Sequence, residues 1–247
     1  MTLLTIKIEN CQFPTPYLYD VQNFTWADFN LIDYKYSKSF DKSVTVKVGI
    51  MPILSYIAGK IEKIKLKSEG EIINKGKSLG TLESLNYFGV IRSPISGKIM
   101  EINKNLLSNP KLVNDSPFEY GWIAKLKPSN PENFESLQSV DQCKSEISLL
   151  IKKFNVKCFK NFPDFEMYEL GTECSATLAK LDDFLDKKMS VGHIVHLVSD
   201  DPTADLEVTR WVNENNQELV EIIMEKNELK ISNNTNYLFH ILIKKLA

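Results

Sequence analysis

Short runs of alternating apolar and polar residues fill the chain from about residue 42 to 127. The runs are VTVKVGI (44–50), GKIEKIKL (59–66), SLGTLES (78–84), GVIRSPISGKIMEIN (89–103) and GWIAKLK (121–127). A period of two is typical of half-buried β-strands, and turn sequences containing glycine separate several of the runs. Because no long helical pattern intervenes, the segment predicts an all-β sandwich or barrel.

The pattern changes beyond residue 130. Apolar residues at helical spacing in SEISLLIKKF (145–154) predict a helix, and the rest of the chain alternates between the two periods. It reads as a strand (166–170), a helix (176–188), a strand (193–199), a helix (202–215) and two final strands (217–227 and 236–246) joined by a polar turn. The order β-α-β-α-β-β predicts a two-layer α/β sandwich.

The chain is therefore expected to be an α+β protein of two domains. The N-terminal domain, residues 1–130, is predicted to be an all-β barrel-sandwich hybrid with flanking helices. Residues 131–160 are expected to form a helical linker, and residues 161–247 the C-terminal α/β sandwich.

Composition narrows the function classes. With 247 residues, a net charge of −2 and 43% hydrophobic residues, the chain is typical of a soluble globular protein. It has no basic excess for neutralising phosphates, which argues against nucleic-acid binding. No apolar run reaches the roughly 18 residues of a membrane span, and the N-terminus lacks the pattern of a secretory leader. A cytoplasmic location without membrane contact is expected.

Cysteine and histidine patterns give no sign of a metal centre. The four cysteines, Cys11, Cys143, Cys158 and Cys174, contain no CxxC pair, and only three histidines accompany them. Reduced thiols and no bound metal are expected. The three histidines are His193 and His196, expected on opposite faces of one strand, and His240, expected to be isolated in the last strand. No nucleophile–base constellation, phosphate loop or cofactor fingerprint is present, so an enzyme is not expected.

A series of motifs between residues 17 and 150 occurs in the order of a known family. The motifs are Phe24-Thr25-Trp26, Val48-Gly49-Ile50, Ala58-Gly59-Lys60-Ile61, Leu82-Glu83-Ser84, Ser93-Pro94-Ile95-Ser96-Gly97 and Lys125-Leu126-Lys127-Pro128. The segment resembles the H protein of the glycine cleavage system, which carries lipoate. The resemblance implies a lipoyl-domain fold and a hairpin whose tip presents the lipoyl lysine.

The resemblance places Asn86 at the position of that lysine, three residues after Glu83. An asparagine amide nitrogen is delocalised into its carbonyl and offers no attachment point for lipoate. No lysine lies between Lys77 and Lys98, and Val90 stands where the family usually has an acidic residue. The domain is therefore expected to carry no lipoate.

Two aromatic residues, Tyr87 and Phe88, follow Asn86 at the predicted tip. One interpretation is an exposed hydrophobic contact for a partner protein. The other is that both rings fold back onto the protein, and the sequence favours neither.

A second set of motifs begins with Gly171-Thr172-Glu173-Cys174 ahead of a predicted helix. It continues with Val191-Gly192, Ser199-Asp200-Asp201-Pro202 and Trp211. Residues 165–245 resemble the TusA/SirA-type small sulfur carriers. That resemblance implies a transient persulfide on Cys174, and partners from lipoate- or sulfur-transfer pathways.

The thiol of Cys174 has features for and against this role. The positive end of a helix dipole favours the thiolate. The family's Pro-x-Pro after the cysteine is replaced by Ser175-Ala176-Thr177, and the adjacent Glu173 opposes a thiolate. A half-buried structural cysteine is nearly as well supported. Asp200 and Asp201 are expected to cap the helix that follows them.

Three functions remain open. The first is a non-enzymatic carrier, a non-lipoylated H-protein homologue with a sulfur-carrier cysteine. The second is a docking scaffold without covalent chemistry, and the third is an ordinary glycine cleavage H protein.

Overall fold

The computed structural model describes residues 4–28, 44–226 and 237–246. Contacts between Cα atoms divide the chain into two units, residues 1–158 and residues 159–247. The polar turn predicted between the last two strands lies outside the described residues.

The first unit is built from short strands. They are β1 (Thr5–Ile8), β2 (Cys11–Pro14), β3 (Tyr17–Asp20), β4 (Thr25–Asp28), β5 (Val46–Ile50), β6 (Lys63–Leu66), β7 (Ile72–Ile73), β8 (Ser78–Glu83), β9 (Phe88–Arg92), β10 (Gly97–Ile102), β11 (Ala124–Pro128) and β12 (Gln138–Ser139). Among them, β1 and β2 form a hairpin, seven form a sheet in the order β12-β3-β4-β5-β11-β10-β7, and three form a sheet in the order β6-β8-β9.

Short helices and one longer helix lie between and after these strands in the sequence. A 3₁₀ turn (Val21–Asn23) joins β3 to β4, and the α-helices are α1 (Pro52–Ala58), α2 (Asn105–Ser108), α3 (Leu112–Asp115), α4 (Glu132–Glu135) and α5 (Val140–Lys153). Pro52 suits the first turn of α1 because its missing N–H would have no partner there.

An aromatic cluster fills one of the two cores of this unit. The ring of Trp26 is fully buried and stacks on Tyr17 with 4.9 Å between centroids. Its Nε1 donates to the carbonyl of Ile50 at 2.9 Å, so its polar atom is satisfied inside the core. Gly49 is needed beside this ring, because a Cβ there would lie 2.3 Å from Trp26 Cζ2. Trp26 thus joins two neighbouring strands of the larger sheet, β4 and β5.

One buried amide joins the helical parts of the unit to the smaller sheet. The Asn114 side chain accepts from the N–H of Ile61 at 2.9 Å and donates to the carbonyls of Ser55 and Gly59 at 3.1 and 2.9 Å. Gly59 ends α1 with φ of +74°, a value that side-chain-bearing residues rarely adopt. Asn114 therefore fixes the turn between α1 and β6.

The segment expected to be a linker belongs to the first unit. The buried face of α5 consists of Val140, Cys143, Ile147 and Ile151, at spacings of three and four, and packs in the same core as Trp26. Ser139 and Gln142 form a capping box at its start. The boundary by contact lies at residues 158 and 159, because the apolar face of α5 is buried against the N-terminal strands.

The expectation of four free thiols was wrong. Cys11 and Cys158 form a disulfide, and the buried Cys143 and Cys174 are the free cysteines. Sequence gave no reason to pair two cysteines 147 residues apart. The bond joins β2 to the last residue of the first unit, so it fastens the end of the segment that follows α5.

The second unit is a two-layer α/β sandwich. Its elements are β13 (Phe165–Glu169), α6 (Cys174–Lys188), β14 (Ile194–Ser199), α7 (Ala204–Glu214), β15 (Glu218–Lys226) and β16 (Tyr237–Lys244). The strand order is β13-β14-β16-β15, with β13 parallel to β14 and the other pairs antiparallel. Both helices pack on one face, over a core that includes Leu181, Val195, Trp211 and Ile241.

The predicted fold class is confirmed in its main features. The protein is α+β, with sandwich-like sheets in the first unit and a β-α-β-α-β-β sandwich in the second. The barrel alternative is not realised in the described residues, whose strands form open sheets. None of the described helices is long and apolar enough to cross a membrane.

The disulfide predicts the outcome of a thiol count. After denaturation without reductant, we expect two cysteines to react with iodoacetamide, and four after reduction, as read by intact mass. Cys158→Ser should lower the free energy of unfolding by about 2–4 kcal/mol, because the crosslink closes a long loop. Cys143→Ser leaves the crosslink intact and is the matched control for the count. Four reactive thiols in unreduced protein would exclude the bond.

Candidate functional site

The hairpin between β8 and β9 carries the candidate attachment position. Asn86 is exposed at the tip, next to Leu85, whose side chain is 83% exposed. The N–H of Ser84 donates to the carbonyl of Tyr87 at 2.9 Å and closes the turn. The hydroxyl of Ser84 donates to the carbonyl of Ala58 at 2.5 Å, so the base of the hairpin is tied to the end of α1.

The two aromatic residues at the tip have different surroundings. Tyr87 is partly buried and packs against the main core of the first unit. Its ring lies over Gly89, where a Cβ would approach Tyr87 Cε1 to 2.4 Å. Phe88 points away and is 66% exposed. Each interpretation of this pair therefore holds for one residue: Tyr87 folds back onto the protein, and Phe88 is exposed.

The hairpin that carries Asn86 therefore has an exposed apolar surface. It consists of Leu85, Phe88 and Val90, which we call the apolar tip; Val90 is 40% exposed. Phe88 and Val90 alternate with buried or half-buried residues along β9, so both lie on the outer face of the smaller sheet. On the neighbouring strands this face carries an ion pair between Lys63 and Glu83 at 3.8 Å. The tip offers hydrophobic contact and no amine.

The second candidate site is the start of α6. Cys174 is the first residue of this helix, and only 7% of the residue is exposed. Its N–H donates to Oδ2 of Asp201 at 2.9 Å. A carboxylate therefore already occupies the helix N-terminus that would otherwise stabilise a thiolate.

The surroundings of Cys174 favour the neutral thiol. Burial raises its pKa to about 11, and the negative charges of Asp201 and Glu207 act in the same direction. A thiol with this pKa has very little thiolate at neutral pH, and the thiolate is the reactive form. The sequence identified the helix N-terminus but could not identify the carboxylate that fills it.

Asp200 and Asp201 hold a loop as well as a helix start. Asp200 accepts from the N–H of Gly171 at 2.7 Å. Asp201 Oδ1 accepts from the backbone N–H and the hydroxyl of Thr203, the residue that precedes α7, at 2.8 and 2.7 Å. The expectation that they cap the following helix was wrong, because the N-cap of α7 is Thr203 and no side chain caps that helix. Both carboxylates instead fix the segment that leads into α6.

The histidines are arranged differently from the sequence prediction. His193 precedes β14, and its Nδ1 accepts from the N–H of Ser190 at 3.1 Å. His240 is not isolated, since its Nδ1 lies 2.9 Å from Nε2 of His196. The two strands pair antiparallel with His240 opposite Val198, which brings the imidazoles together diagonally on one face. No local pattern could reveal a pair 44 residues apart. Within the described residues no group of His, Cys, Asp and Glu could hold a metal ion.

Comparison with known proteins shows which protein family the first unit resembles. The family model for the glycine cleavage H-protein matches residues 32–149. The chain is 32% identical over 154 residues to the probable glycine cleavage system H protein 2 of Sulfurisphaera tokodaii, covering 62% of this chain and 97% of that protein. It is 34% identical over 157 residues to the glycine cleavage system H protein 5 of Aquifex aeolicus, covering 62% and 98%. This chain belongs to the glycine cleavage H-protein family.

A solved H-protein structure from Mycobacterium marinum aligns with 55% of this chain and 98% of its own, at 21% identity and a TM-score of 0.47. The apolar tip and Asn86 lie within the residues that the H-protein model matches, and Cys174 lies beyond them. The predicted resemblance to the H-protein family is confirmed. The sulfur-carrier resemblance of residues 165–245 stays a prediction.

The geometry at Cys174 predicts the effect of Asp201→Asn. Removal of the carboxylate charge should lower the pKa of the thiol and raise its alkylation rate at neutral pH, by about tenfold at most because burial is unchanged. The rate of reaction with a maleimide, followed from pH 7 to 10, measures this. Glu214→Gln removes an equal charge at the far end of α7 and should leave the rate as in the wild type. An unchanged alkylation rate in Asp201→Asn would show that this carboxylate does not raise the pKa of the thiol.

Proposed function

We propose that this H-protein family member is a non-enzymatic docking scaffold that carries no lipoate. The observation that carries the proposal is the apolar tip: Leu85 directly before Asn86 and Phe88 two residues after it are both largely exposed. A hairpin that would present a lysine amine for acylation presents an amide and hydrocarbon instead. The fold of a carrier is kept, and the function shifts to recognition.

Binding energy can come from the two exposed side chains. Burial of a Leu or Phe side chain contributes about 1.5–3 kcal/mol, and aromatic anchors dominate many interfaces. The base of the hairpin is held by Ser84, and Tyr87 is packed against the core. Little conformational entropy is then lost when the tip is bound, which favours affinity.

The partners proposed are proteins that act on the lipoyl lysine of an H protein. The relatives bear the name glycine cleavage system H protein, which identifies them with a system of cooperating proteins. A hairpin in the same place on the same fold offers such proteins a surface they can recognise. Without a lysine it binds them without receiving a lipoyl group.

Sulfur transfer through Cys174 is the second candidate. In such a step the thiolate attacks the outer sulfur of a donor persulfide, and the donor leaves as a thiol. The position of Cys174 at the start of α6 supports it. Burial, the raised pKa and the carboxylate of Asp201 oppose it, so docking is the better-supported function.

An enzymatic attachment assay tests whether residue 86 can carry lipoate. Purified protein is incubated with a lipoate-attaching enzyme, lipoate and ATP, and intact mass is measured. We expect no adduct on the wild type and an adduct on Asn86→Lys, because only the lysine has a nucleophilic amine. Asn86→Lys combined with Val90→Glu restores the acidic residue as well. Asn109→Lys, at an exposed position elsewhere, is the control. A lipoyl adduct on the wild type would exclude the proposal.

Docking is tested with variants of the apolar tip. The probes are the purified proteins of a glycine cleavage system and the lipoate-attaching enzyme, each tested by biolayer interferometry. Binding of at least one is expected, and Phe88→Ser should weaken it about tenfold or more, since about 1.4 kcal/mol corresponds to a factor of ten. Met100→Ser removes a 46% exposed side chain from β10 and should bind as the wild type does. An equal loss of affinity in both variants, or no binding to any probe, would contradict the proposed docking function.

A further inference from the structure

The sheet of the second unit ends in two edge strands, and one of them lies beside a groove. In the strand order β13-β14-β16-β15, the outer strands are β13 and β15. No described strand pairs with the outer side of β13, so part of its backbone N–H and C=O groups face away from the sheet. Such a row of backbone groups can bind one more strand.

The two edge strands differ in their protection against further pairing. The register of β15 against β16 is irregular between Leu219 and Glu221, and such irregularities blunt an edge. The pairing of β13 with β14 is regular along its whole length, and β13 contains neither Pro nor Lys. At this edge Tyr168 is 59% exposed, and Leu170, just after the strand, is 38% exposed. We therefore expect β13 to be the edge that accepts a strand.

A groove of about 530 Å³ lies between β13 and α6. Its apolar lining comes from Met167 of β13 and from Ala179 and Phe184 of α6. Met167 and Phe184 are only partly buried against the core of this unit, so some of their hydrocarbon surface is accessible from the groove. A groove of this size can receive side chains of a segment that lies along the edge of β13.

Three lysines of α6, Lys180, Lys187 and Lys188, line the same groove. Lys180 pairs with Glu169 at 2.5 Å, and Lys187 pairs with Asp183. Lys188 has no ion-pair partner among the described residues. The negative end of the α6 dipole, equivalent to about half a charge, compensates it only in part. The groove therefore favours a bound group that carries a negative charge.

We propose that β13 binds an extended peptide of a partner protein as an additional strand of the sheet. Hydrogen bonds between the two backbones supply affinity, and the groove supplies specificity. Because alternate residues of a strand point to the same face, every second side chain of the peptide points to the groove side. An apolar side chain rests on Met167 and Phe184, and a carboxylate lies beside Lys188.

Charge disfavours a second copy of this chain as the occupant of the edge. Two β13 strands paired antiparallel about a twofold axis would place both helix layers on the same side of the joined sheet. Each α6 would then face the other across the joint, and the lysines of the two grooves would repel one another. A peptide with an apolar residue and a carboxylate avoids this repulsion and compensates the charge of Lys188.

Selection from a phage-displayed library of random peptides on the full-length protein tests the proposal. The selected peptides should combine alternating apolar residues with Asp or Glu, and a synthetic copy is then measured by fluorescence anisotropy. Ala179→Trp fills the groove and should weaken binding about tenfold or more, with its fold checked by circular dichroism. Lys188→Gln should weaken binding about two- to fivefold, as expected for an exposed charge. Lys226→Gln, on the other edge strand, and Phe88→Ser, in the apolar tip, should bind as the wild type does.

Hydrogen exchange distinguishes an added strand from other occupants of the groove. With peptide bound, the outward amides of β13 should exchange more slowly, whereas the amides of β15 should exchange as in the unbound protein. The proposal is overturned if no peptide is selected, if Ala179→Trp binds as the wild type does, or if β13 gains no protection. A dimer in sedimentation equilibrium that Ala179→Trp dissociates would assign the edge to a second copy instead. Because Phe88→Ser is a control, these outcomes are independent of docking through the apolar tip.

Discussion

A hydrogen-bonding group removed from water is costly to leave without a partner, and the first unit depends on how this cost is avoided. It is avoided by Asn114, whose one side chain satisfies three backbone groups at the turn between α1 and β6. Loss of such a partner leaves several buried groups unpaired, each costing about 1–3 kcal/mol. The same turn region receives the hydroxyl of Ser84, so the hairpin rests on a base with satisfied hydrogen bonds.

Because the base of the β8–β9 hairpin is fixed, the residues at its tip are free to serve recognition. The β8–β9 hairpin keeps its place through Ser84 and through the packing of Tyr87, neither of which needs a lysine. The proposed replacement of a lysine by Asn86 would therefore alter the chemistry of the tip without a cost to the fold. The exposed Leu85 and Phe88 bury little surface in the isolated chain, and a contiguous exposed apolar patch often marks an interaction site. The apolar tip is consistent with a carrier fold used for recognition.

Local pattern predicted most elements of the structure. The period of two predicted β8, β10 and β11, and helical spacing predicted α6 and α7, with ends that differ by a few residues. The predicted helix at 145–154 begins earlier, at Val140, where Ser139 and Gln142 form the capping box. Local sequence was sufficient here because strand and helix periods reflect the burial of one face.

What sequence failed to predict depends on contacts between distant residues. The disulfide joins Cys11 to Cys158, and no spacing rule relates them. The approach of His196 to His240 follows from the antiparallel register of β14 and β16, which a single sequence does not determine. The role of Asp201 at Cys174 likewise needs the loop before α6 to meet the end of β14. The candidate residues could thus be placed on the elements that carry them, whereas their electrostatic surroundings could not be predicted.

The start of α6 illustrates why surroundings decide function. A helix N-terminus has a limited set of free N–H groups, and these stabilise one anion well. Here Asp201 accepts from the N–H of Cys174, so the site already holds its anion. A thiolate at Cys174 would face that carboxylate at short range, and burial would add a desolvation cost. Sulfur transfer would require the Asp201 carboxylate to leave or to be neutralised first, whereas docking through the apolar tip requires no change in the protein.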